Sequence, residues 1–147
     1  MRTPTLLLAS TCLLTASACW AADHAGIVKT LSGEVSVIRG ENSLKVVPNF
    51  RLQEGDQVQT GPGGKAGLIL DDDTVISLGP NSRVALTGFA FHPAEKKLSL
   101  VARIYRGTIS FLSGQIAKLA PHQVRIETPG ATVGVRGTHV LIEVEGS

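Results

Sequence analysis

Apolar residues recur at every second position along most of the chain, the period of a strand with one face buried and one face wet. The longest such run is Lys97–Tyr105. There Leu98, Leu100, Ala102 and Ile104 fall on one face, and Lys97, Ser99, Arg103 and Tyr105 on the other. The same alternation predicts strands over Gly26–Leu31, Gly33–Arg39, Leu44–Val47, Gln57–Thr60, Ala66–Leu70, Thr74–Leu78, Arg83–Leu86, Thr108–Leu112, Gln123–Thr128 and His139–Val144. Turn residues separate them at Glu41-Asn42, Gly61-Pro62-Gly63-Gly64, Asp71-Asp72-Asp73, Gly79-Pro80-Asn81-Ser82 and His92-Pro93. One short helix is expected, over Ser113–Leu119. Short strands at this spacing predict an all-β domain.

Two of the strands are related to each other. Gly33-Glu34-Val35-Ser36-Val37-Ile38-Arg39-Gly40 recurs as Gly107-Thr108-Ile109-Ser110-Phe111-Leu112-Ser113-Gly114, with both glycines, the serine and three apolar positions in register. Each copy precedes a strand ending in Val58-x-Thr60 or Ile126-x-Thr128, then a Pro/Gly turn and another apolar strand. Duplicated strand–turn units that bury one face against the next follow the logic of solenoids. The expected architecture is a compact β-solenoid-like or jelly-roll-like stack of short strands with an internal duplication. An antiparallel β-sandwich is the alternative.

The N-terminus departs from this pattern. Arg2 followed by the apolar run Leu6–Ala16 and by small residues around Cys19 and Ala21 has the form of a secretory signal peptide over residues 1–21. Cleavage after Ala21 leaves residues 22–147 as one domain, periplasmic or secreted, with no transmembrane segment in the mature chain. The rival reading makes Cys19 a lipidated anchor, because Ala16-Ser17-Ala18-Cys19 is a degenerate lipobox. Cys12 and Cys19 are the only cysteines, so the mature domain is expected to hold itself together by packing, without a disulfide. Losing Arg2 takes the formal charge from +2 to +1. The remaining basic residues are scattered among acids and aromatics are few, which argues against nucleic acid as a partner.

The stretch Val124–Thr138 carries the densest signal. Val124, Ile126 and Thr128 alternate with Arg125 and Glu127, and Thr128-Pro129-Gly130-Ala131 reads as a type II turn. Gly134 and Gly137 are expected where bulk would not fit or φ is unusual. Thr128-Pro129-x-Ala131-x-x-Gly134-Val135-Arg136-Gly137-Thr138 resembles the signature of the FecR domain family. Upstream, Gly55-Asp56-x-Val58-x-Thr60 and Leu78-x-Pro80-x-Ser82 resemble two further segments of that family, so the likeness runs from about Gly26 to Val144. The resemblance implies a periplasmic domain that takes part in signalling iron–siderophore status across the bacterial envelope. In such regulators a cytoplasmic helical segment controls a sigma factor, a transmembrane helix follows, and the C-terminal part contacts an outer-membrane receptor. In this chain a cleavable-looking signal takes the place of the cytoplasmic segment, and the sequence closes at Glu145-Gly146-Ser147. Direct regulation of a sigma factor is therefore not expected of it.

The candidate structural or partner-contacting residues are Thr128, Pro129, Ala131, Gly134, Arg136, Gly137 and Thr138, with Gly55, Asp56 and Thr60 upstream. The Arg136 fork is suited to bonding carbonyls of the preceding turn, and Asp56 to accepting amide bonds within its own turn. Asp71-Asp72-Asp73 lacks the spaced oxygens and distal glutamate of a calcium loop and reads as a hairpin turn with solvent-facing carboxylates. His24, His92, His122 and His139 have no ligand-type neighbour at metal-binding spacing and read as separate surface histidines, so no metal or cofactor is expected. Ser36 and Ser110 lie in alternating strands, and no nucleophile elbow, phosphate loop or paired carboxylates stand out. The expectation is a non-catalytic module that docks on another envelope protein in signalling related to iron uptake. The alternative is a structural or ligand-binding module for peptidoglycan or polysaccharide, for which few stacking aromatics remain once Trp20 leaves with the signal. Direct sensing of iron or a siderophore would need clustered ligands.

Overall fold

Alternation in sequence becomes alternation in burial in the computed structural model, which describes residues 24–135 and 139–145. In chain order the strands are β1 (His24–Ser32), β2 (Val35–Arg39), β3 (Asn42–Lys45), β4 (Phe50–Gln53), β5 (Gln57–Thr60), β6 (Lys65–Leu70), β7 (Val75–Leu78), β8 (Arg83–His92) and β9 (Lys97–Leu112). After β9 comes a short α-helix, α1 (Gln115–Leu119), inside the stretch where a helix is predicted. Then follow β10 (Val124–Glu127), β11 (Thr132–Gly134) and β12 (His139–Val144). All belong to one curled twelve-stranded sheet.

The sheet is a meander of four long strands, each bent once. β1 and β2 form the first, β5 and β6 the second, β7 and β8 the third, and β9 alone the fourth. Each pairs antiparallel with the next on both sides of the bend. The bends divide the sheet into a front half, β4-β1-β6-β7-β9-β12, and a back half, β3-β2-β5-β8-β9-β10-β11. Among the described residues the one parallel pairing is β9 with β10.

One apolar cluster lies between the halves. On the front half Val28, Leu68, Ile76 and Phe111 stand in register across four strands. On the back half Val37, Val58, Val84 and Ile104 do the same. None of these eight is more than 1% exposed, so each contributes on the order of 2 kcal/mol of burial. Leu100, Ala102 and Ile104 face inward as the alternation of β9 predicts, with Leu98 packed at the rim.

The duplication marks the bends of the two outer strands of the meander. Gly33 separates β1 from β2 at φ +68°, and Gly107 interrupts β9 at φ +97°. Before Gly107 the inward residues are even-numbered (Leu100, Ala102, Ile104), and after it they are odd (Ile109, Phe111). A left-handed glycine inserted as an extra residue bends the strand and flips its alternation. Both halves can then send apolar side chains to the same interior. The expected all-β domain is thus realised as one curled, mostly antiparallel sheet, a half-barrel, with the two copies of the duplication at opposite ends of the meander.

Hydrogen bonds stitch the bends together. The Thr60 hydroxyl donates to Gly79 O at 2.7 Å and accepts from Ser82 N at 2.9 Å. Ser82 Oγ accepts from Thr108 N at 3.1 Å. Backbone bonds run alongside, Gly61 N to Glu34 O and Thr60 N to Ser82 O at 2.9 Å, and Gly79 N to Thr108 O at 2.9 Å. Thr60 and Ser82 are both fully buried.

Two strands were absent from the predicted set, β4 and β11. They are four and three residues long. β4 starts right after Asn49, whose φ of 66° turns the chain.

A methyl group on Gly107 would overlap both the Cα and the hydroxyl of Ser82, and the positive φ adds strain. Gly107→Ala is expected to cost on the order of 3 kcal/mol and lower Tm by roughly 10 °C. Ser82→Ala, which strips the part-buried Thr108 N–H of its acceptor, is expected to cost about 1–2 kcal/mol. Thermal unfolding followed by circular dichroism measures both.

Candidate functional site

Gly55, at φ +90°, turns the chain between β4 and β5 and bonds Leu86 O through its N–H at 2.6 Å. The next residue, Asp56, is 1% exposed. It accepts the amide of Gln53 at 2.9 Å, within its own turn as expected. The sequence did not foretell its second partner. Arg39, at the end of β2, donates from Nε to Oδ1 at 2.8 Å and from Nη2 to Oδ2 at 2.7 Å. Nη2 also donates to Arg51 O at 3.1 Å, and the guanidinium lies 5.7 Å from the centroid of the Phe50 ring. The hydrogen bond to Asp56 raises the Arg39 pKa above its ordinary value against the opposing effect of burial. A raised pKa stabilises the fold below the ordinary arginine value, so this contribution is constant across physiological pH.

Thr128 and Ala131 close a tight turn around Pro129 and Gly130. Thr128 N bonds Ala131 O at 2.8 Å, and Ala131 N bonds the Thr128 hydroxyl at 3.1 Å. Gly130 does not take the positive φ of a type II turn. The threonine side chain supplies the closing bond, so no left-handed residue is needed. Gly134 corrects a second expectation. A Cβ there would meet open space, and its φ is not left-handed. It sits exposed in β11 opposite Arg125, and the core contact of this strand end is the buried Val135. Arg136, Gly137, Thr138 and Cys19 lie outside the described residues.

The acidic turn differs from expectation at one residue. Asp71 and Asp73 face solvent, but Asp72 is fully buried. Its carboxylate accepts from the Thr74 hydroxyl at 2.7 Å and from Ile116 N at 3.2 Å, while its carbonyl accepts Gln115 N at 2.7 Å. Asp72 thus satisfies the first amides of α1, which a helix end otherwise leaves unpaired, and fastens the helix to the β6–β7 turn. Ile116, buried beneath, locks the contact.

The exposed groups hold no concentrated chemistry. His24 pairs with Asp71 at 2.9 Å, and His139 Nε2 lies 2.6 Å from Ser110 Oγ, both at the surface. The second contact fastens β12 to β9. Among the described residues no group of three or more His, Cys, Asp or Glu side chains could hold a metal. No helix among them is long and apolar enough to cross a membrane.

Residues 56–147 match the family described as FecR protein, well over half of the chain. The chain belongs to the FecR family. No curated protein and no solved structure matches it. Membership of the FecR family suggests a signalling-related domain in iron-uptake regulation. The matched span begins at Asp56, yet β1 to β4 complete the same sheet and supply Arg39, the counter-ion of that first residue. Four of the signature residues do architectural work: Asp56 anchors β2 to β4, Thr60 and Ser82 stitch the bends, and Thr128 closes a hairpin.

Removing the two partners of the buried ion pair should have unequal effects. Arg39→Ala leaves the Asp56 carboxylate buried with no counter-ion and is expected to cost about 3–4 kcal/mol. Asp56→Ala leaves a half-exposed guanidinium that water can reach, so it is expected to cost roughly 1–2 kcal/mol. Gly134→Ala is expected to stay within about 0.5 kcal/mol of the parent. Urea unfolding of the three variants tests the order.

Proposed function

We propose that this FecR domain is an exported, non-catalytic binding module of the bacterial envelope. It docks on another envelope protein in signalling related to iron uptake, with residues 1–21 acting as the export signal. The observation that carries this reading is on the outer side of the front half-sheet. Ile27, Ile69, Val75 and Leu112 stand in cross-strand register over four neighbouring strands, opposite the side that faces the core. Leu112 is exposed and the other three are half-buried. A contiguous apolar row on a wetted sheet face marks an interaction surface. The buried polar groups, by contrast, are paired inside the fold, every buried side-chain nitrogen and oxygen among the described residues having a partner. The ionisable residues that are held most tightly thus serve structure, and what the domain offers the outside is a surface.

The test is capture in the periplasm. A photo-crosslinking residue at position 112 of the tagged chain is expected to trap a membrane or receptor protein. Leu112→Asp, at an exposed position, is expected to reduce capture at least about fivefold without a change in Tm. Co-sedimentation with purified cell-wall sacculi and no trapped protein would sink the proposal in favour of a wall-binding module. Intact mass of the exported product tests the leader: loss of residues 1–21 supports cleavage after Ala21, and an acylated Cys19 replaces it with a lipid anchor.

A further inference from the structure

An unpaired row of N–H and C=O groups at a sheet edge is a template for another strand. Among the described residues four strands sit at such edges, β3, β4, β11 and β12. β3 and β4 are four residues long, β11 three and β12 six. The edge of β4 is already occupied by charge, because Arg39 Nη2 donates to Arg51 O. Among the described residues no side chain bonds the backbone of the β12 edge in this way. Its sequence is His139-Val140-Leu141-Ile142-Glu143-Val144, and Leu141 is 69% exposed, more than any other large apolar residue among those described.

We infer that β12 pairs antiparallel with β12 of a second copy of this chain, about a two-fold axis at Leu141. Facing residues of an antiparallel pair must share a sheet face, and His139, Leu141 and Glu143 are the exposed set of this strand. The register centred on Leu141 sets Leu141 against its counterpart and Val140 against Ile142 on the inner side. It also sets His139 against Glu143 at both ends. From His139 to Glu143 every facing pair is then complementary, apolar against apolar and imidazole against carboxylate. Moving the centre by one residue in either direction sets Leu141 against His139 or against Glu143, and the match is lost. Ser110 Oγ holds one ring nitrogen of His139 at 2.6 Å, which leaves the other to face the carboxylate across the axis. Such an isologous contact closes on itself, so it gives a dimer and not a filament. The inference is independent of the envelope partner proposed above, because edge pairing leaves the apolar outer face open.

Sedimentation equilibrium of the purified exported protein is expected to show a dimer. Leu141→Arg, which opposes two like charges at the axis, is expected to raise the dimer dissociation constant roughly tenfold or more with Tm of the monomer unchanged. Leu141→Cys gives a sharper readout. Opposed Cα atoms in an antiparallel pair lie about 4.5–5.5 Å apart, within disulfide reach. Mild oxidation should therefore yield a covalent dimer, in protein whose mass shows loss of residues 1–21 or with Cys12→Ala and Cys19→Ala where they remain. Leu112→Cys, also exposed but one strand further in, should crosslink less than about a tenth as well. A monomer at every concentration, or equal crosslinking at the two positions, would overturn the inference. So would a monomer that traps a different envelope protein through Leu141→Cys, an outcome that assigns the edge to a foreign strand.

Discussion

Four chain segments pass from one half-sheet to the other, and the hydrogen bonds that stitch them side by side are the constraint on which the rest of this structure depends. Two hydroxyl groups sit at the centre, Thr60 and Ser82, each bonded to backbone on a neighbouring segment. At a bend the regular ladder is interrupted, so amides and carbonyls there would be buried without partners. The hydroxyls fill that gap, and the left-handed glycines at positions 33 and 107 let the outer segments turn without a side chain in the way. Without the seam the two halves would share no fixed geometry, and the apolar rows built on Val28 and Val37 would not be held over each other.

Polar anchors of the same kind secure the elements outside the meander. Arg39 and Asp56 tie β2 to the β4–β5 turn, and Asp72 ties α1 to the β6–β7 turn. In each case a buried carboxylate gathers amides, a hydroxyl or a guanidinium from segments far apart in sequence, so its charge or dipole is matched where water is excluded. Such pairs add little net stability over a well-packed apolar contact, but breaking one side is costly. That asymmetry makes them fix which segments meet.

The division of labour bears on function. Asp56, Thr60, Ser82 and Thr128, all among the residues that resemble the FecR signature, are spent on turns, bends and anchors, which preserves a scaffold. On the function proposed above, signalling acts through what the scaffold exposes, namely the outer face with Ile27, Ile69, Val75 and Leu112 and the edge formed by β12. A rigid sheet suits that task, since little ordering of its backbone is needed when a partner binds.

Period-two alternation alone determined the all-β class, the inward face of β9 and most strands, because side-chain direction along a strand is a local property of the backbone. The repeat at Gly33 and Gly107 was legible as a repeat, as was the turn at Gly55-Asp56. Only the tertiary structure decided that the two repeated glycines are bends at opposite ends of one meander, that Asp56 takes Arg39 as its partner, and that Asp72 is buried between Asp71 and Asp73, which are not. It likewise decided that Gly134 stands in open space and that Thr128, not Gly130, shapes its turn. These outcomes depend on which segment lies next to which. Strand pairing joins residues tens of positions apart, and a periodicity read over a few residues holds no information about that neighbour.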